Sequence, residues 1–266
     1  MMRRVISTVP PALSAEWAKL RTLPGTFWLL AAVVATTVAV STAATAAVSC
    51  PHGGCSVDPV KVSLTGIYLG QAVAAVLGVL VVSSEYSTGM IRVTFTALPR
   101  RTTVLTAKAA IIGGLVLAAG AVAVAGSLLA GGALLTRHGF TPAHGYPALT
   151  VGDGPVLRAA AGSVLYLALI ALLSLGVATV IRDPAPAIGT VLGLLYLDPI
   201  IAAVLHGAHW HKFIDRYAPM TAGLAIQATT NLSSLPISPW AGLGVLAAWA
   251  AGALLLGGLV FRLRDA

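Results

Sequence analysis

The chain has 266 residues, of which 58% are hydrophobic and only 9% charged, where a water-soluble domain carries about a quarter charged residues. That balance excludes an ordinary soluble globular protein and makes the bilayer the main solvent. The net charge of +8 comes from sixteen Lys and Arg residues scattered between apolar runs, so it does not form the long basic block of a nucleic-acid-binding surface. The apolar content is mostly Ala, Leu, Val and Gly, which suits helices packed through small side chains. A β-barrel would instead need segments of about ten residues that alternate polar and apolar.

Met1 to Pro11 has no apolar core of the kind a cleavable signal needs. After it, Leu13, Trp17 and Leu20 recur at i, i+4 and i+7, with Glu16, Lys19 and Arg21 mostly on other faces. This predicts a short helix lying in the membrane interface, within a cytoplasmic segment over residues 1–26. A basic flank that only sets topology is the plainer alternative.

A helix needs about twenty residues to cross a bilayer core, and six apolar stretches meet that length. They run from Phe27 to Val48, Val62 to Val82, Ala109 to Leu135, Ala159 to Ile181, Ala185 to Leu205 and Trp240 to Phe261. The expected fold is therefore an all-α integral membrane protein, a single transmembrane domain over residues 1–266. Basic residues are retained in cytoplasmic loops, so counting them on alternate sides orients the bundle. One side holds eleven: Arg3, Arg4, Lys19, Arg21, Arg92, Arg100, Arg101, Lys108, Arg182, Arg262 and Arg264. The other holds five: Lys61, Arg137, Arg158, Lys212 and Arg216. The first side is expected in the cytoplasm, together with both chain ends, and all six histidines then fall outside.

Between the first two spans, Cys50-Pro51-His52-Gly53-Gly54-Cys55 is a compact outer loop in which a local disulfide is expected. The alternative is a soft-metal site using both thiolates and His52, although the spacing matches no standard zinc pattern. Between spans two and three lies the most informative cytoplasmic segment, Glu85-Tyr86-Ser87-Thr88-Gly89-Met90-Ile91-Arg92, continuing through Phe95 and Leu98 to Pro99-Arg100-Arg101 and Lys108. Ile91, Phe95 and Leu98 share one helical face and Pro99 stops the helix, which predicts a short amphipathic helix at the inner surface. A solvated turn carrying topology charges is the alternative.

In the fifth span Asp198-Pro199 is either a polar point on a substrate path or a kink near the outer interface. The last outer loop carries His206, His209, Trp210, His211, Phe213 and Tyr217, of which the three aromatics share a helical face. An interfacial or re-entrant helix is the preferred reading, because His209 and His211 alone do not make a metal site.

The run of Glu85, small polar residues, Gly89, Ile91, Arg92, Pro99-Arg100-Arg101 and Lys108 resembles the permease subunits of ABC-2-type transporters, especially small bacterial drug and antibiotic exporters. Glu16 and Lys19 in the first predicted helix match the interfacial helix with which those subunits begin. The resemblance implies a homodimer of six-span subunits in the bacterial cell membrane, each coupled through the Glu85–Arg101 segment to a separate ATPase. It implies no catalytic residue and no cofactor on this chain, with ATP and Mg held by the partner, and a hydrophobic drug, antibiotic, peptide or lipid as substrate. The residues agree on one point independently, since no Gly-Lys pair occurs anywhere and the phosphate-cradling loop of an ATPase is therefore absent from the chain. Two other classes compete on the residues. An ion-coupled carrier or channel has Asp198 as its candidate coupling group. An intramembrane enzyme lacks support, because Glu16 and Glu85 are single and the histidines lie in loops.

Overall fold

The structure, a computed structural model, describes residues 17, 24–50, 55, 57–90, 101–141, 153–204 and 208–263. Among these residues the regular structure is helical throughout, with no strand. In chain order the helices are α1 (Pro24–Ala47), α2 (Pro59–Ser63), α3 (Ile67–Ser87), α4 (Arg101–Arg137), α5 (Gly154–Ile181), α6 (Pro184–Val204), α7 (Ala208–Tyr217), α8 (Pro219–Leu224) and α9 (Pro239–Leu263). Short 3₁₀ turns cover Ala225–Gln227 and Leu232–Ser234. Five of the helices, α1, α3, α4, α5 and α9, are long and apolar enough to cross a membrane. The sixth apolar helix, α6, has 21 residues, with its apolar stretch over Pro184–Leu197.

Several boundaries differ from those the sequence predicts, for physical reasons. The second apolar run is split. Asp58 caps α2 by accepting from the Val60 and Lys61 amides at 3.1 and 3.2 Å, and Pro59 opens that helix. At Gly66 the chain turns so close to α1 that a Cβ would stand 1.8 Å from the Thr37 carbonyl oxygen, while the Gly66 amide donates to Ser41 Oγ at 2.9 Å. Only then does α3 begin, and it runs past Val82 to Ser87, so Glu85 is a helical residue. Similarly, α4 starts at Arg101 rather than Ala109, which places Lys108 about two turns inside the helix.

The core forms around α5, which packs against α3, α4, α6 and α9, while α1 lies against α3 and α4. Ile67, Leu77, Ile112, Leu167, Ile170, Leu173 and Leu246 are buried where these helices meet. Small residues bring α5 and α9 together. A Cβ on Gly257 would stand 1.8 Å from Thr179 Oγ1, so only glycine allows this approach. Several hydroxyls inside the apolar helices are satisfied locally: Thr45, Ser83 and Ser174 each donate to the carbonyl four residues back, at 2.7 to 3.0 Å.

Between α6 and α9 the chain folds back against the bundle. Met220, Ala222, Gly223 and Leu224 of α8 are buried, with Gly223 against Tyr166 and Leu246 and the Ala222 carbonyl against Gly242. The Trp249 indole, well along α9, donates to the Tyr217 carbonyl at 3.0 Å and pins the end of α7 there.

Candidate functional site

The sequence singles out Glu85, and the structure joins it to a partner far along the chain. Lys108 Nζ donates to Glu85 Oε1 at 2.8 Å, with the two side chains 1% and 8% exposed. Burying both charges is costly unless each satisfies the other, so this pair locks the last turn of α3 to the second turn of α4. The two helices that flank residues 88–100 are therefore clamped to each other.

Around that clamp two more helix ends converge. The α5 helix stops at Arg182, whose φ of 68° is left-handed and whose guanidinium lies 5.2 Å from the Tyr86 ring centroid. Phe261, near the end of α9, stacks on the same ring at 6.3 Å. Tyr86 thus sits between the ends of α5 and α9, one residue from the clamped Glu85. The end of α3 is tied to α4 through Glu85 and to the ends of α5 and α9 through Tyr86. Past Tyr86, Thr88 caps α3 and Gly89 adopts a φ of 70°, turning the chain away from the helix axis.

Of the other residues the sequence singles out, Ile91, Arg92, Phe95, Leu98 and Arg100 lie outside the described residues, as do Leu13, Glu16, Lys19 and Leu20. Trp17 is helical and exposed, and Arg101 is the first residue of α4. Asp198 is a backbone-helical residue of α6. Sequence reasoning missed Lys108 as the partner of Glu85, and Tyr86, Arg182 and Phe261 as its neighbours. The signal that could have found the pair was Lys108 itself, a cation directly followed by an unbroken apolar run.

At the opposite end, Cys50 and Cys55 are joined in a disulfide with a Cα–Cα distance of 6.2 Å. Cys50 is buried against Leu135 and Phe140, its amide donates to the His138 carbonyl at 2.9 Å, and His138 Nδ1 lies 3.1 Å from the Val48 carbonyl. Asp58 gathers the rest of this end. Besides capping α2, its carboxylate accepts from the Thr229 amide and hydroxyl at 2.6 and 2.7 Å and from the Thr230 amide at 3.1 Å. Nearby, Arg158 at the start of α5 donates to the Ala228 carbonyl at 2.6 Å. Among the described residues no group of three or more His, Cys, Asp or Glu side chains is placed to hold a metal.

Within the bundle, Gln71 of α3 and Tyr166 of α5 are both fully buried. The Tyr166 hydroxyl donates to Gln71 Oε1, and Gln71 Nε2 reaches the Met220 sulfur at 3.3 Å. The Tyr196 hydroxyl donates to the Tyr68 carbonyl, tying α6 to the start of α3.

No protein-family model matches the chain, and a search of curated proteins finds no match.

Proposed function

We propose that this chain is the membrane subunit of an ATP-driven exporter of the ABC-2 type, working as a homodimer in the bacterial cell membrane with separate ATPases. The observation that carries the reading is the buried Glu85–Lys108 pair. A connection that only set topology would need basic residues but no buried clamp at its base, whereas a segment that receives force must be held rigidly to the helices it moves. The pair fastens α3, which leads into residues 88–100, to α4, which follows them, and Tyr86 ties α3 to the ends of α5 and α9. Their apolar stripe of Ile91, Phe95 and Leu98 suits a groove on a partner. ATP and Mg belong to that partner, and closure of two ATPases would draw the clamped segment and shift the helix ends around Tyr86.

Six spans with both termini in the cytoplasm complete the reading, the Glu85 end facing inward and the disulfide end outward. Two observations support α6 as the sixth span. Both α5 and α9 end beside Tyr86, and α9 begins at the other end of the bundle, so the chain between Arg182 and Pro239 has to return across it. At 21 residues α6 is about 31 Å long, enough for that return. The cargo is a hydrophobic drug, antibiotic, peptide or lipid, carried between subunits.

The test is the exchange Phe95→Asp. An unpaired charge in an apolar groove costs several kcal/mol, which lowers association by a few orders of magnitude. Membrane insertion should be unchanged, while the ATPase no longer co-purifies and cargo-stimulated hydrolysis is lost. Unchanged co-purification and hydrolysis would remove the transporter reading.

A further inference from the structure

A cavity of about 630 Å³ lies between α7 and the turn after Leu232–Ser234. Its volume falls within the range of ordinary small-molecule sites. Phe213, Tyr217, Leu235 and Pro236 form apolar walls, and Asp215 and Arg216 bring opposite charges into the same space. Arg216 rests on the Tyr217 ring, 5.8 Å from its centroid, and Phe213 packs on that ring at 4.9 Å. Among the described residues neither Asp215 nor Arg216 is engaged in an ion pair.

The depth of these charges makes them informative. Trp249, which holds the Tyr217 carbonyl, stands ten residues along α9 from Pro239, or about 15 Å. The 25 residues of α9 exceed a hydrocarbon core of about 30 Å by only a few Å at each end. Because the Trp249 side chain leans back toward Pro239, the Tyr217 carbonyl sits roughly 5–10 Å inside the apolar layer when α9 spans it. An ionised side chain at that depth is retained only with a partner or with access to water. A ligand that fits must carry both charges a few ångströms apart, and it must also tolerate the exposed rings of Phe213 and Tyr217.

We propose that this crevice binds the headgroup of a zwitterionic phospholipid, with Arg216 on the phosphate and Asp215 on the ammonium group. The acyl chains then lie along Phe213 and Tyr217 into the surrounding bilayer. A simple anion would be repelled by Asp215 and a simple cation by Arg216, whereas the phosphoethanolamine group satisfies both. The inference goes beyond the transporter reading and uses no ATPase. It rests only on α9 being embedded, so the two fail independently.

Native mass spectrometry of the full chain in mild detergent tests it, titrating dioleoylphosphatidylethanolamine against dioleoylphosphatidylglycerol and against soluble glycerophosphoethanolamine. The zwitterionic lipid should be retained about tenfold more tightly than the anionic one, the difference expected of a single charge-assisted hydrogen bond. Arg216→Gln should weaken retention of both lipids about tenfold, and Asp215→Asn should abolish only the preference between them. Equal retention of the two lipids by the unaltered protein, which requires no substitution, would overturn the proposal. So would unchanged retention by Arg216→Gln, or binding of glycerophosphoethanolamine as tight as that of the lipid, which would make the ligand a soluble phosphate ester.

Discussion

Lys108 reaches Glu85 at 2.8 Å where α3 and α4 meet, and neither side chain is more than 8% exposed. Removing one partner strands the other charge out of water, whereas replacing both with apolar groups of similar volume removes the desolvation cost together with the attraction. Glu85→Leu and Lys108→Met should each destabilise the folded protein by about 3–5 kcal/mol, and the double variant should recover most of that loss. Thermal unfolding in detergent around a double-mutant cycle measures it. Additive losses in the double variant would mean that the two charges do not depend on each other.

Asp58 offers a second test at the opposite end. Its carboxylate caps α2 and accepts from Thr229 and Thr230, joining parts of the chain 171 and 172 residues apart. Asp58→Ala should cost about 2–3 kcal/mol from the lost cap and the charge-assisted bonds. It should also raise hydrogen exchange at the Thr229 and Thr230 amides roughly tenfold or more, with little change in the core of α5. Protection unchanged at Thr229 would mean that the 228–230 segment is held by other interactions.

The Cys50–Cys55 bond closes a short loop of sequence separation 5. In the chain-entropy account so small a loop is worth about 2 kcal/mol. Mass spectrometry without reduction should find the two residues linked, and Cys50→Ser with Cys55→Ser should lower stability by about that amount without changing membrane insertion. Free thiols in freshly isolated protein would remove the bond and the stabilisation assigned to it.

What can be read from the sequence, and what cannot, follows from the physics of each feature. Apolar length alone marks a helix, because every backbone polar group in the layer has to be paired within its own segment. The runs beginning at Phe27, Ala159 and Trp240 therefore fall within a few residues of α1, α5 and α9. Hydropathy does not see a cap or a close approach, so it misses the break that Asp58 and Gly66 impose before Ile67, and with it the true reach of α3 to Ser87. The same blindness separates Glu85 from Lys108. Each reads as a flanking charge by itself, and their pairing depends on how α3 and α4 cross, which no local pattern encodes. Likewise Gln71, Tyr166 and Met220 meet from three elements 149 residues apart at the extremes. For the apolar stripe of Ile91, Phe95 and Leu98 the sequence remains the sole source, since those residues lie outside the described ones.

The orientation of the bundle is open to direct measurement, and α6 decides it. With five crossings the two ends of the chain would lie on opposite sides of the membrane, whereas six place them together. The closing geometry favours six: Arg182 after α5 and Phe261 of α9 lie against the same ring, that of Tyr86, and α9 starts a full bundle length away at Pro239. On the proposed six-span reading the return between them falls to α6, where the Tyr196 hydroxyl donates to the Tyr68 carbonyl close to the start of α3, the end remote from Glu85. With six spans, eleven basic residues fall on the side of Arg100 and five on the side of His144, which predicts the direction. Reporter fusions near Arg100, after Asp183 and at Ala266 should therefore read as cytoplasmic, and fusions near His144 and His206 as external. A cytoplasmic signal at His206 with an external signal at Ala266 would show that α6 does not cross. Residues 1–26 would then face away from the C-terminus, and the pairing of both ends with the ATPase side would have to be abandoned.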